Sequence, residues 1–114
     1  MTTSVYGIPN CDSVKKARKL LDGRGVAYVF HDYRKQGVPD ALLRRWVQAK
    51  GWEALLNRKG TTWRTLDNPT KASVTDAETA IAVMRTHPST IKRPVVVSGA
   101  TLVVGFDPDA LDSL

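Results

Sequence analysis

The 114-residue chain holds a single cysteine, Cys11, in the stretch YGIPNCDSVKKARKLL at residues 6–21. It stands where an apolar run gives way to a basic helical pattern. At such a helix start the backbone N–H groups of Asp12, Ser13 and Val14 lack intrahelical partners and point toward the sulfur. Lys15, four residues on, shares the helical face and can bring an ammonium close. Both effects favour thiolate over thiol. A free thiol of pKa about 8.5 is about 3% ionised at pH 7, whereas a pKa of about 6 makes it about 90% ionised. Composition alone favours the other role of a lone cysteine, a small buried filler of the core. Pro9 and Asn10 ahead of it and the basic helix behind it favour a reactive thiol. No second cysteine follows in CDSV, so an internal CxxC cycle is excluded, and an outside thiol would have to resolve any disulfide formed at Cys11.

The elements that would hold this thiol follow from periodicity. TSVYGI is β-prone and leads through the short loop PNC into a helix whose apolar face is Val14, Ala17, Leu20 and Leu21, stopped by Gly23 and Gly25. VAYVFHDY, residues 26–33, reads as a strand. A β-α-β unit of this length is normally parallel and right-handed. VPDALLRRWVQAKG is a second helix, with Pro39 in its first turn and Leu42, Leu43, Trp46 and Val47 as its stripe. Gly51, Gly60 and Pro69 then divide the chain into short helices and loops. Thr75 and Glu78 form a capping box for a helix that buries Ala77, Ala80, Ile81 and Met84 and ends at Pro88. RPVVVSGATLVVGF is a β-hairpin around Ser98-Gly99-Ala100, and Asp107-Pro108 opens a final helix.

This gives an α/β chain with a four-stranded mixed sheet in the order β-α-β … β-β-α, the order of the thioredoxin fold. Residues 1–114 are expected to form one domain with an enlarged helical insertion over about 38–88. The hydrophobic fraction of 42% and charged fraction of 25% are those of an ordinary globular chain. MTTSVYGIPN lacks the layout of a signal peptide, no apolar run approaches a membrane span, and the cytoplasm is the expected location. The net charge of +6 is uneven: residues 1–64 carry 13 Lys/Arg against 5 Asp/Glu, and residues 65–114 carry 4 against 6. A basic front half suits an anionic ligand or an acidic partner. Direct nucleic-acid binding is supported by charge alone, with no dense Lys/Arg run or aromatic platform. Two histidines and one cysteine, widely separated, give no metal-site spacing, and neither His31 nor His87 is placed to act as a base for Cys11.

YGIPNCDSVKKARKLL, HDYRKQG, LLNRKGTTWRTL, HPSTIKRPVVV and VVGFDPDAL together, over essentially the whole chain, resemble the ArsC-related reductase family of the ArsC/Spx superfamily, closest to its YffB-like branch. The resemblance implies a thioredoxin-like fold, Cys11 as nucleophile, Pro94 as a cis-proline beside it, and Arg93 as the basic residue facing the site. A cis X–Pro bond exposes backbone groups that can pair with an extended thiol peptide such as glutathione. Arg93 can hold a carboxylate or oxyanion and stabilise a thiolate. The same resemblance implies Arg58 or Lys59 as the second cation. The chain departs from the arsenate reductases of the family: their HNPxC becomes GIPNC, with Gly7 in place of histidine, and Gly105 offers no charge late in the hairpin.

The expected function is that of a glutathione-dependent thiol reductase, a monothiol oxidoreductase. Cys11 forms a mixed disulfide that glutathione resolves, with Asn10, Lys15, Arg58, Lys59, Arg93 and Pro94 serving substrate binding. Glutathione is then a co-substrate, with no tightly bound cofactor and no metal. The alternative is an Spx-like regulator that binds an RNA polymerase subunit without catalysis, although Val14 removes the CxxC switch of that branch. Arsenate reduction ranks below both.

Overall fold

Four strands form one mixed sheet in the order β2-β1-β3-β4: β1 (Thr3–Gly7), β2 (Tyr28–Asp32), β3 (Val95–Ser98) and β4 (Thr101–Val104). β1 pairs in parallel with β2, from Thr3↔Tyr28 to Gly7↔Asp32, and antiparallel with β3, from Thr3↔Ser98 to Tyr6↔Val95. β3 and β4 form the expected hairpin, with Gly99 at φ 59° supplying the positive φ that a tight two-residue turn requires. The architecture is thioredoxin-like, as the order of elements implied. It is seen in a computed structural model that describes residues 2–114.

The chain divides into two compact units. The first runs up to Gln36 and resumes at Arg93; the second is Gly37–Lys92 and contains the helical block. In the first unit, α1 (Asp12–Gly23) turns Val14, Ala17 and Leu21 inward. Ala17 and Leu21 meet Val5, Val96 and Val103 of the sheet and Leu111 of α8 (Pro108–Asp112). Full burial of a Val or Leu contributes about 1.5–3 kcal/mol, so this cluster fixes the helix that begins at Cys11. Asp107 caps α8 through the Ala110 N–H.

β2 is shorter than the pattern suggested. Tyr33 leaves the strand and opens a single helical turn, α2 (Tyr33–Gln36), where the Asp32 carboxylate accepts the Arg34 N–H at 2.9 Å. Such an Asx contact offers the backbone a turn in place of further sheet pairing.

In the second unit, α3 (Asp40–Lys50) is preceded by Pro39 as its N-cap rather than containing it. Leu43, Trp46 and Val47 are buried, and Leu42 only partly so. Short helices follow: α4 (Trp52–Leu55), α5 (Thr61–Thr65) and α6 (Asn68–Ala72). α7 (Ala77–Thr86) is capped one residue later than the sequence pattern indicated. The box is made by Asp76 and Thr79, whose hydroxyl accepts the N–H groups of both Thr75 and Asp76. A carboxylate is the stronger acceptor for the exposed N–H of Thr79, which displaces Thr75 from the cap. A 3-10 turn, Pro88–Thr90, ends the helix. The return is clasped by Asn57 N–H to Thr90 O (2.8 Å) and Lys92 N–H to Leu55 O (2.7 Å). Among the described residues no helix is long and apolar enough to cross a membrane.

Candidate active site

Cys11 occupies the N-cap of α1 with extended backbone, φ −87° and ψ 128°. Its N–H donates to Ile8 O at 3.1 Å, closing the PNC turn, and its carbonyl accepts the Lys15 N–H at 2.9 Å, starting the helix. The thiol is half-buried. It closes no full side-chain capping bond, and the N–H groups of Val14 and Ser13 act on the sulfur as weak donors.

The thiol pKa lies below its ordinary value. Burial pushes it up, and that effect is outweighed by the sum of the others: the Val14 N–H, a hydrogen bond donated by the Arg93 guanidinium, the Ser13 N–H, and the positive charge of Arg93. Sequence pattern and structure thus agree on the helix start, with Ser13 and Val14 as the contributing donors. They differ on the cation. Lys15 is solvent-exposed and is not among the groups that act on the thiol; the cation at the sulfur is Arg93.

Arg93 is brought there by the strand order. It immediately precedes Pro94 and β3, and β3 lies beside β1, whose end leads to the Cys11 loop. The Arg93–Pro94 peptide is cis, and the Pro94 carbonyl accepts the Gly105 N–H at 2.7 Å. Gly105, at φ 82°, thus sits against the Pro94 backbone and presents no side chain.

Tyr33 was not anticipated. It is buried, 1% exposed, in the first position of α2, directly after β2. Its phenol is pushed well above its ordinary pKa by burial, with the Arg93 charge working against that and Tyr6 adding to it. Tyr6 stacks on His31 at 4.5 Å between ring centroids, which gives this histidine a packing role. The signal lay within HDYRKQG, where the period-2 pattern assigned Tyr33 to the strand.

Gly7 also has a spatial reason. A Cβ built there would lie 2.6 Å from Val14 Cγ2, inside α1. Asn10 is exposed and borders a surface cleft of about 500 Å³ together with Ile8, Pro9, Asp32, Arg34 and Lys35. Arg58 and Lys59 lie in the second unit, in the turn after α4. Arg58 stands over the Trp52 ring at 5.5 Å and 4.0 Å from Glu53, and the Lys59 N–H donates to Asn57 Oδ1. Among the described residues there is no group of His, Cys, Asp and Glu side chains that could hold a metal.

Residues 6–114 match the model of the ArsC family. The solved structure of a protein named YFFB is 49% identical and superposes with a TM-score of 0.93, covering 98% of this chain and 97% of that one. A Brucella melitensis protein solved as an arsenate reductase (ArsC) related protein is 42% identical with a TM-score of 0.75, covering 99% and 93%. A Haemophilus influenzae protein called uncharacterized is 40% identical over 104 residues, 91% of this chain and 90% of that one. With a family match over nearly its full length and relatives this similar in both sequence and fold, the chain belongs to the ArsC family.

Proposed function

We propose that the protein is a glutathione-dependent thiol reductase that works through Cys11 alone. ArsC-family membership and fold support a thiol reductase of some kind. The observation that carries the finer reading is the Cys11–Arg93 pair, a half-buried thiol held below its ordinary pKa with a guanidinium on its sulfur. The Cys11 thiolate attacks the glutathionyl sulfur of a mixed disulfide. A Cys11–glutathione disulfide forms, and the substrate sulfur leaves as thiolate and takes up a proton. A glutathione thiolate then attacks the glutathionyl sulfur on Cys11. Oxidised glutathione is released and the Cys11 thiolate regenerated. One free glutathione is consumed, its sulfur oxidised to the disulfide as the substrate sulfur is reduced to the thiol, while the transferred glutathionyl sulfur stays at the disulfide level throughout. Arg93 holds the departing and attacking thiolates near Cys11, and Pro94 and Asn10 present the site's edge to the peptide.

The test is turnover of a glutathionylated peptide, coupled to formation of oxidised glutathione. Cys11→Ser should abolish it, and retention of turnover would sink the proposal. Arsenate reduction is disfavoured because position 7 cannot carry a histidine without displacing Val14.

The exposed Lys15, Lys16 and Lys19 on α1 give some support to a second reading, an Spx-like protein docking on an acidic surface of an RNA polymerase subunit. In that case the Cys11→Ser chain retains polymerase subunits at low salt and no turnover is found in either form.

A further inference from the structure

Beside the Cys11 loop, the cleft bordered by Ile8, Pro9, Asn10, Asp32, Arg34 and Lys35 combines an apolar floor with charged side chains. Arg34 and Lys35 are exposed, and neither forms an ion pair among the described residues. Five of the other arginines are occupied: Arg24 by Asp112, Arg44 by Asp40 and Glu78, Arg58 by Glu53, Arg85 by Asp40, and Arg18 by the Phe30 and Tyr28 rings. The one acid in the cleft, Asp32, uses Oδ1 to accept the Arg34 N–H, so it fixes the backbone that carries both cations. The cleft reaches the nucleophile through the chain itself, because Asn10 precedes Cys11 and the Cys11 N–H is tied back to Ile8.

We infer that this cleft is a carboxylate-binding subsite for one end of the glutathione moiety, with Arg34 and Lys35 as its specificity-determining cations. The inference rests on the thiol-reductase reading of Cys11. Glutathione carries its sulfur on the middle residue and a carboxylate at each end. An extended tripeptide spans only about 10 Å, so with the sulfur at Cys11 one terminus falls within a residue or two of it. Arg34 offers a planar fork for a carboxylate and Lys35 a point charge. Disulfides without carboxylates gain nothing from either.

The experiment measures the rate at which reduced protein forms a mixed disulfide, by intact mass, with oxidised glutathione and with the neutral hydroxyethyl disulfide. In each case the Cys11 thiolate attacks one sulfur, the mixed disulfide forms and one thiolate is released. The expected result is that Arg34→Glu/Lys35→Glu lowers the ratio of the two rates by about tenfold, as charge reversal at a recognition site does. The charge reversal at the exposed Lys50 of α3, Lys50→Glu, should leave the ratio at its wild-type value. A ratio unchanged in the double variant, or lowered equally by Lys50→Glu, overturns the subsite. The disulfides of γ-glutamylcysteine and of cysteinylglycine, each lacking one terminal residue, show which end is held: the one whose ratio the double variant still lowers carries that end. Titration with S-methylglutathione, followed by amide NMR shifts at Asn10 and Arg34, reads binding without chemistry. The thiol-reductase reading can therefore fail in turnover while the subsite still binds, and the subsite can fail while turnover stands.

Discussion

At the scale of single residues, the chemistry depends on one contact, the Arg93 guanidinium on the Cys11 sulfur. Iodoacetamide labelling of Cys11 followed from pH 4 to 10 should show a midpoint below the free-thiol value of about 8.5. Arg93→Ala removes both a hydrogen bond and a charge while burial remains, so the midpoint should rise; an unmoved midpoint would show that the helix start alone sets it. The same shift has a stability consequence with a defined sign. A thiol whose pKa is lower in the folded chain adds stability that is fully present above its unfolded value, about 8.5, and is lost as pH falls through the folded value. The stability difference between the native protein and Cys11→Ala should therefore grow from acid toward pH 8.5 and then level off in denaturant titrations. The thiol and its helix were legible in the sequence because they are neighbours. Arg93 was reached only through family resemblance, since it arrives from the far end of the chain by strand pairing, which periodicity does not report. Tyr33 was missed for a related reason: its role is set by burial beside Arg93 and Tyr6, not by its local pattern.

At the scale of elements, the crossing of β1 and α1 is set by Gly7 and Val14. The 2.6 Å approach of a Cβ at position 7 to Val14 Cγ2 is an overpacking contact, which costs about 1–3 kcal/mol. Gly7→Ala should lose stability on that scale. The double variant Gly7→Ala/Val14→Ala should then be more stable than the two single losses predict, a coupling that a double-mutant cycle reads directly. Additive losses would mean that the backbone absorbs the contact elsewhere. Element types were legible wherever apolar period and breakers agreed, as in α1 between Cys11 and Gly25 and in the VVVSGATLVV hairpin. Boundaries were less so. Thr75 with Glu78 and Asp76 with Thr79 are both acceptable boxes three residues apart, and only the relative strength of carboxylate and hydroxyl acceptors separates them. At Tyr33 an aromatic residue suited to a strand begins a turn because Asp32 captures the next N–H but one.

At the scale of the whole molecule, the net charge of +6 acts over distances that single contacts do not reach. Oxidised glutathione is anionic, so its reaction with Cys11 should slow as ionic strength rises from about 0.02 to about 0.5 M, across which the Debye length shrinks several-fold. The neutral hydroxyethyl disulfide should show little change; equal salt dependence for both would remove long-range steering. The division of the chain adds a matter of timing. Cys11 and α1 are synthesised early, whereas Arg93 and β3 come only after all 56 residues of the intervening unit, Gly37–Lys92. On the ribosome the nascent chain therefore carries Cys11 before the Arg93 guanidinium that helps to lower its pKa has been made. Stabilisation of the thiolate by that charge waits for completion of the polypeptide, so the site is assembled last although its sulfur is made first.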